Sequence, residues 1–155
     1  MILNPTTDLE LVRHLKATPA QVWRCWTEPA LLEQWFAPKP VVTRDVKIDL
    51  RPGGIFSTTM DIPDLGTESG DGCILEVVPE RRLVWTDLLG PDYRPVQESF
   101  GFTAYILMEP DGDGTRYRAI AMHRTADQRK AHEEMGFQDG WGTAAAQLDA
   151  VAQSL

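Results

Sequence analysis

The residues of this sequence best suited to chemistry are large aromatic side chains with a few polar groups among them. We predict that one set of large apolar residues lines a space between the strands and the last helix: Phe56, Met60, Trp85, Phe100, Phe102, Met135, Phe137 and Trp141. Pockets of this composition bind small apolar or amphipathic molecules. The alternative is that these side chains only fill the core, which is the usual role of any single one of them.

Five polar residues are candidates to face the same space: Arg13, Asp87, Glu98, Tyr105 and His123. Arg13 shares a strand face with three leucines, and His123 is in phase with apolar residues of the last strand. A buried arginine needs an anionic partner, from the protein or from a ligand. We therefore predict Arg13, Tyr105 and His123 as ligand contacts. Acid–base catalysis is an alternative that requires His123 or Tyr105 beside a carboxylate, and we assign no catalytic residue.

Other kinds of site have no support in the spacing of the residues. The three histidines, His14, His123 and His132, are far apart, and Cys25 and Cys73 form no C-x-x-C pair. No G-x-S-x-G, G-x-x-x-x-G-K-[ST] or G-x-G-x-x-G motif occurs. We expect no metal and no cofactor, and we interpret both cysteines as buried free thiols.

Length and charge limit the partners. The chain has 155 residues with 15 basic and 23 acidic side chains, a net charge of -8 and a pI near 4.8. Such a chain is expected to form one domain, residues 1–155, and to repel nucleic acid and anionic membranes. The longest apolar run, Ala104 to Met108, is far shorter than a membrane span, and the first eight residues lack a signal pattern. We therefore expect a cytoplasmic protein.

The patterning predicts an α+β protein. Alternation over Asp8 to Lys16 indicates a strand, and Thr18 to Gln21 forms a capping box at the start of the first of two short helices, the second opening at Glu28-Pro29. Six antiparallel strands follow between Val41 and Arg124, with Pro63 to Gly70 as a polar loop. A second capping box at Thr125 starts a long C-terminal helix that runs to Leu155, weakened in its middle by glycines.

Local motifs over nearly the whole chain resemble a known family. The matching residues are Arg13, ATPAQVW (17–23), TEP (27–29), WFAP (35–38), DLRPGGIF (49–56), GCILEVVP (72–79), RLVW (82–85), GT (114–115) and GW (140–141). With these motifs the chain resembles the activator of heat-shock protein 90 ATPase homologue family, in its bacterial single-domain form, within the START-like or SRPBCC superfamily. The resemblance implies a helix-grip fold, in which a curved seven-stranded antiparallel sheet wraps around a long C-terminal helix.

The resemblance implies a cavity between the sheet and that helix, but the fold hosts many activities, so function must be argued from the site. Our leading expectation is a non-enzymatic protein that binds a small apolar or amphipathic molecule in the cavity. One alternative that the resemblance implies is a chaperone ATPase modulator with a role in the stress response. Another is a cyclase, hydrolase or dehydratase that uses the same cavity. The chain is expected to be a monomer or a homodimer.

Overall fold

The computed structural model of the chain describes residues 2–96 and 100–155. Glu98, one of the candidate polar residues, lies outside the described residues. Of the described residues, none belongs to a helix long and apolar enough to cross a membrane.

The architecture is α+β, as predicted, with short helices after the first strand and helices again at the end of the chain. The elements are β1 (Asp8–Leu15), α1 (Pro19–Thr27), α2 (Pro29–Leu32), β2 (Val42–Ile48), β3 (Ile55–Ile62), β4 (Gly66–Val78), β5 (Arg82–Thr86), β6 (Leu89–Gly90), β7 (Arg94–Pro95), β8 (Phe102–Asp111), β9 (Gly114–His123), α3 (Ala126–Glu134) and α4 (Phe137–Gln153). Seven strands form one antiparallel sheet in the order β1-β9-β8-β5-β4-β3-β2, while β6 and β7 form a small second sheet. The seven-stranded helix-grip arrangement is confirmed.

The core lies between one face of this sheet and the helices. Successive strand residues point to opposite faces, so Leu9, Leu11 and Leu15 of β1 bury the same side. Helix α4 packs against β1 and α1, and its small residue Ala145 is fully enclosed with Leu148. Alternation in the strands and a small-residue helix face therefore produce one continuous core.

The predicted long C-terminal helix is two helices in the structure. Helix α3 ends at Glu134, and Gly136 adopts a left-handed backbone with φ 95° before α4 begins at Phe137. This conformation favours glycine because it has no Cβ. The break lets α3 pack against β9 and β1 while α4 follows its own direction across β1 and α1.

The predicted loop over 63–70 is also shorter than expected. Strand β4 begins at Gly66, because Asp64 and Gly66 both take positive φ and close a tight turn after β3. The first residues of β4 are polar and exposed, so backbone pairing with β3, rather than burial, forms this part of the strand.

The Arg51-Pro52-Gly53-Gly54 turn needs both of its glycines. Gly53 has φ 83°, and a Cβ at Gly54 would collide with the carbonyl oxygen of Asp49. The turn therefore fixes how β2 leads into β3, which carries Phe56.

The predicted capping box at α1 is confirmed in both directions. The Gln21 amide donates to the Thr18 hydroxyl at 3.3 Å, and the Thr18 amide donates to the Gln21 side-chain oxygen at 3.0 Å.

We expect Thr18→Ala to lower the free energy of unfolding, measured by urea denaturation, by about 1 kcal/mol. The matched control is Thr143→Ala on the exposed face of α4, which should stay within about 0.5 kcal/mol of the wild type. Equal stabilities for the two variants would contradict the role of the cap.

Candidate functional site

A continuous set of aromatic rings occupies the space between the sheet and α4. Phe56 and Trp85 stack with ring centroids 4.7 Å apart, and Trp85 contacts Phe102 at 5.8 Å. Phe102 contacts Trp141 at 5.6 Å, and Trp141 contacts Phe137 at 4.5 Å. We call these five residues the aromatic cluster. The structure thus brings together five members of the predicted set from β3, β5, β8 and α4.

Phe100 and His123, also in the predicted set, border this cluster. Phe100 contacts Phe102 at 6.5 Å and His123 at 6.2 Å. His123 in turn contacts Phe102 at 5.9 Å. The end of β9 therefore places an imidazole beside the aromatic cluster, as its phase in the strand predicts.

Helix α1 and the segment after α2 contribute further tryptophan rings next to the cluster. Trp26 of α1 contacts Phe56 at 6.4 Å and Trp85 at 6.5 Å. Its indole Nε1 donates to the hydroxyl of Tyr117 at 3.1 Å, and Trp35 Nε1 donates to the Cys25 carbonyl at 3.0 Å. Both indoles are buried and their N–H groups are satisfied, so these tryptophans serve packing, as the sequence indicates.

Trp85 differs from them in its hydrogen bonding. The residue is 7% exposed, and its Nε1 atom is buried without a hydrogen-bond partner among the residues that the structure describes. An unsatisfied buried donor costs about 1–3 kcal/mol. An acceptor placed beside Trp85 would remove that cost, so the indole N–H is a candidate ligand contact.

Two histidines form a buried pair next to the cluster. His123 Nε2 and His132 Nδ1 are 2.8 Å apart, and His123 Nδ1 lies 2.9 Å from the carbonyl oxygen of Thr7. Burial, with a smaller contribution from His123, lowers the pKa of His132 from 6.5 to about 4. His132 is therefore neutral at pH 7. The sequence analysis did not select His132, because the two residues come together only through the packing of α3 on β9.

The remaining predicted contacts do not touch the rings of the cluster. Arg13 is exposed, donates to the carbonyl of Val12 at 2.9 Å, and lies beside Gly142 of α4. Tyr105 pairs across the sheet with Val84 and Ile120, on the face opposite to the buried core. Met135 is 72% exposed at the break between α3 and α4.

The other two predicted residues in the described part of the chain are Met60, within β3, and Asp87, directly after β5. Met60 is half-buried on β3. The Asp87 carboxylate accepts from the Phe102 amide at 2.9 Å. Asp87 therefore fixes the start of β8, the strand that carries Phe102.

The cysteines and the acidic residues offer no competing site. Both cysteines are buried and free, and burial raises the pKa of the Cys25 thiol to about 11, which makes it unreactive at neutral pH. Within residues 2–96 and 100–155, no group of three or more histidine, cysteine, aspartate or glutamate side chains could hold a metal ion.

Two open concave regions lie outside the core. One, of about 420 Å³, runs beside α2 and is lined by Trp35, Phe36 and the segment to Val42. The other, of about 380 Å³, lies against β8 and β9 and is lined by Arg81, Arg82, Arg116 and Arg118 with neighbouring residues. Neither region lies between the sheet and α4, where the rings are in contact. A ligand in the core would therefore have to displace rings at its half-buried edge, namely Phe36, Phe102 and Trp141.

Comparisons with known proteins agree with this fold. A family model described as "Activator of Hsp90 ATPase homolog 1-like protein" matches residues 16–153. A crystal structure of a Nitrosomonas europaea protein is 47% identical with a TM-score of 0.94, and the alignment covers 98% of this chain and 97% of that one.

More distant structures share the fold alone. A Rhodobacter sphaeroides protein is 23% identical with a TM-score of 0.85, over 99% of this chain and 97% of that one. An AHSA1-like protein from Aeromonas hydrophila is 17% identical with a TM-score of 0.71, over 95% and 92%. No curated protein matches the chain at a significant level. From the match over residues 16–153, the chain belongs to the Activator of Hsp90 ATPase homolog 1-like family.

Proposed function

We propose that this protein binds a small apolar or amphipathic molecule in the aromatic cluster, between the sheet and α4. The observation that carries the proposal is the buried, unpartnered Nε1 of Trp85 among the described residues. Trp26 and Trp35, two buried tryptophans of the neighbouring core, instead donate to a protein hydroxyl and a protein carbonyl. A carbonyl or ether oxygen of a ligand would satisfy Trp85 and replace part of the ring packing.

The cluster suits a planar ligand. The rings of Phe56 and Trp85 are 18° from parallel, and a third ring, Phe102, lies 5.8 Å from Trp85. A flat aromatic ligand would replace such ring–ring contacts with offset-stacked or edge-to-face contacts of its own. Phe36, Phe102 and Trp141 are only half-buried, so a ligand would enter the core between these rings.

Arg13 supports an amphipathic ligand rather than a pure hydrocarbon. Its guanidinium lies beside Gly142, next in sequence to Trp141, and has no carboxylate within ion-pair distance in the described part of the chain. An exposed, unpaired cation near the edge of an apolar site can bind an anionic head group without a burial cost.

The test compares two probes of the same shape, 1-acetylnaphthalene and 1-ethylnaphthalene, by isothermal titration calorimetry. The acetyl oxygen accepts a hydrogen bond and the ethyl group does not. We expect the wild type to bind the acetyl compound about fivefold more tightly, which corresponds to one hydrogen bond of about 1 kcal/mol. Trp85→Phe should abolish this preference, because it keeps a ring and removes the donor.

Trp23→Phe is the matched control, because Trp23 is a buried tryptophan outside the aromatic cluster. It should keep the fivefold preference. Failure of the wild type to bind either probe, or any other naphthalene, would contradict the proposal. Equal effects of Trp85→Phe and Trp23→Phe would contradict the role of Trp85.

A second function is supported by the family's description, which names activation of the Hsp90 ATPase. Its test is the addition of the purified protein to Hsp90 from the same organism, with ATP turnover as the measurement. A modulator should change the turnover rate at stoichiometric concentration, and an unchanged rate would contradict this function.

We do not propose an enzymatic function. It requires His123 or Tyr105 beside a carboxylate inside the site. In the described part of the chain, His123 instead bonds a backbone carbonyl and a second imidazole, and Tyr105 lies on the outer face of the sheet.

A further inference from the structure

The His123–His132 pair belongs to the same enclosed space as the aromatic cluster. The His132 ring stacks on Phe102 at 5.0 Å and contacts Phe137 at 5.2 Å and Trp141 at 5.9 Å. Both histidines are buried. The pair is therefore a polar group at one side of a site whose other contacts are mostly rings.

The hydrogen bonds determine where the protons lie. The Thr7 carbonyl can only accept, so His123 Nδ1 must carry a hydrogen and donate to it. In a neutral His123 the Nε2 atom is then an acceptor, so His132 Nδ1 carries the hydrogen between the two rings. It follows that His132 Nε2 carries a lone pair and no hydrogen. No hydrogen bond of this atom is found to any of the described residues.

We propose that His132 Nε2 accepts a hydrogen bond from a hydroxyl or N–H group of a neutral aromatic ligand. This inference rests on the proposed function, because it concerns the same site. Trp85 of β5 and His132 of α3 both contact the ring of Phe102 on β8. The ligand class is therefore a flat aromatic molecule with a donor group facing His132 and an acceptor facing Trp85, such as a phenol that also carries a carbonyl.

The surroundings of His132 favour a neutral donor. The rings that face it are Phe100, just before β8, Phe102 of β8, His123 of β9, and Phe137 and Trp141 of α4. Two charged pairs on α3, Arg129 with Glu133 and Lys130 with Glu134, are already formed, and Arg129 also donates to the Asp8 carbonyl. A carboxylate or phenolate would be buried there without a cation, which is costly.

Burial also keeps the acceptor available. Because the pKa of His132 is lowered to about 4, the ring does not take up a proton at neutral pH that would block Nε2. A hydroxyl donor binds without competition from solvent protons over the physiological range.

The test uses calorimetry at pH 7 with 1-naphthol, whose hydroxyl can donate a hydrogen bond, and 1-methoxynaphthalene, in which a methyl group replaces that hydrogen. We expect the wild type to bind 1-naphthol about fivefold to tenfold more tightly. His132→Phe should reduce the ratio to about one. The control is His14→Gln, because His14 is exposed on β1 and pairs with Asp111 at 3.0 Å, far from the site. It should keep the wild-type ratio.

Nuclear magnetic resonance of the wild type provides a second measurement that does not depend on a folded variant. Long-range ¹H–¹⁵N spectra should show His132 with a protonated Nδ1 and a bare Nε2, and 1-naphthol should shift that Nε2 resonance upfield. Equal binding of the two naphthalenes by the wild type, or a protonated Nε2, would overturn the inference while leaving the proposed function intact. Absence of binding by both compounds would overturn the proposed function itself, and the inference with it.

Discussion

Trp26→Ala should lower the free energy of unfolding by about 3–5 kcal/mol, measured by urea denaturation with intrinsic fluorescence. Trp26 is 3% exposed and contacts rings from β3, β5 and the segment after α2, with Trp35 of that segment the nearest at 4.9 Å. Its truncation would leave a large cavity. It would also remove the donor to the Tyr117 hydroxyl, leaving that buried oxygen unsatisfied.

Two variants separate packing from hydrogen bonding. Trp26→Phe keeps an aromatic ring and loses the donor, so it should fall between the wild type and Trp26→Ala. Leu65→Ala changes an apolar residue that is 82% exposed in the β3–β4 turn, and should stay within about 0.5 kcal/mol of the wild type. A loss below about 1 kcal/mol for Trp26→Ala would contradict the central packing role of this tryptophan.

Acid should destabilise the protein through His132. Its pKa is about 4 in the folded state, depressed by burial and by His123, against an ordinary value of 6.5. Between these values the unfolded chain binds the additional proton, so this contribution to stability is complete above pH 6.5 and is lost as the pH falls towards 4. The loss from His132 alone between pH 7 and pH 5 is on the order of 2 kcal/mol.

The measurement is the free energy of unfolding of the wild type and of His132→Phe at several pH values. Carboxylates titrate in both proteins, so the difference between the two curves isolates His132. We expect the wild type to lose about 2 kcal/mol relative to the variant from pH 7 to pH 5. His14→Gln, which changes an exposed histidine, should follow the wild type. Parallel curves for wild type and His132→Phe would show that folding does not lower the pKa of His132, and would contradict this prediction.

The fold was predictable because its signals are local. The Thr18–Gln21 capping box, the double-glycine turn at Gly53-Gly54 and alternation in the strands each depend on a few neighbouring residues. The division of the C-terminal helix into α3 and α4 was harder to predict from the sequence. Three glycines indicate weakness in this region, but the position of the break follows from how α3 packs on β9, which is a tertiary effect.

The site was predictable in part, and strand phase explains which part. Phe102 and Tyr105 are three residues apart on β8, so they must face opposite sides of the sheet, and the cluster contains Phe102. Phe56, Trp85 and Trp141 share the inner side with it. His132 could not be predicted as a site residue, because no local sequence pattern connects this helix residue to His123, nine residues earlier on a strand. The unpaired N–H of Trp85 likewise results from three-dimensional packing and could not be predicted from the sequence.

Four of the five tryptophans divide into two pairs with different roles. Trp26 and Trp35 have satisfied indoles and hold the two short helices against the sheet. Trp85 and Trp141 belong to the aromatic cluster, and only Trp85 has a buried donor without a partner among the described residues. The binding proposal therefore depends most on one atom, the Nε1 of Trp85.

That atom can be observed directly in the ¹H–¹⁵N spectrum of the wild type, where its indole resonance is assigned by its absence in Trp85→Phe. Addition of 1-acetylnaphthalene should move the Trp85 N–H proton downfield as the hydrogen bond forms, while the other four indole resonances move less. Addition of 1-ethylnaphthalene should produce no downfield shift of this proton. A Trp85 N–H resonance that stays in place at saturating 1-acetylnaphthalene would contradict the account.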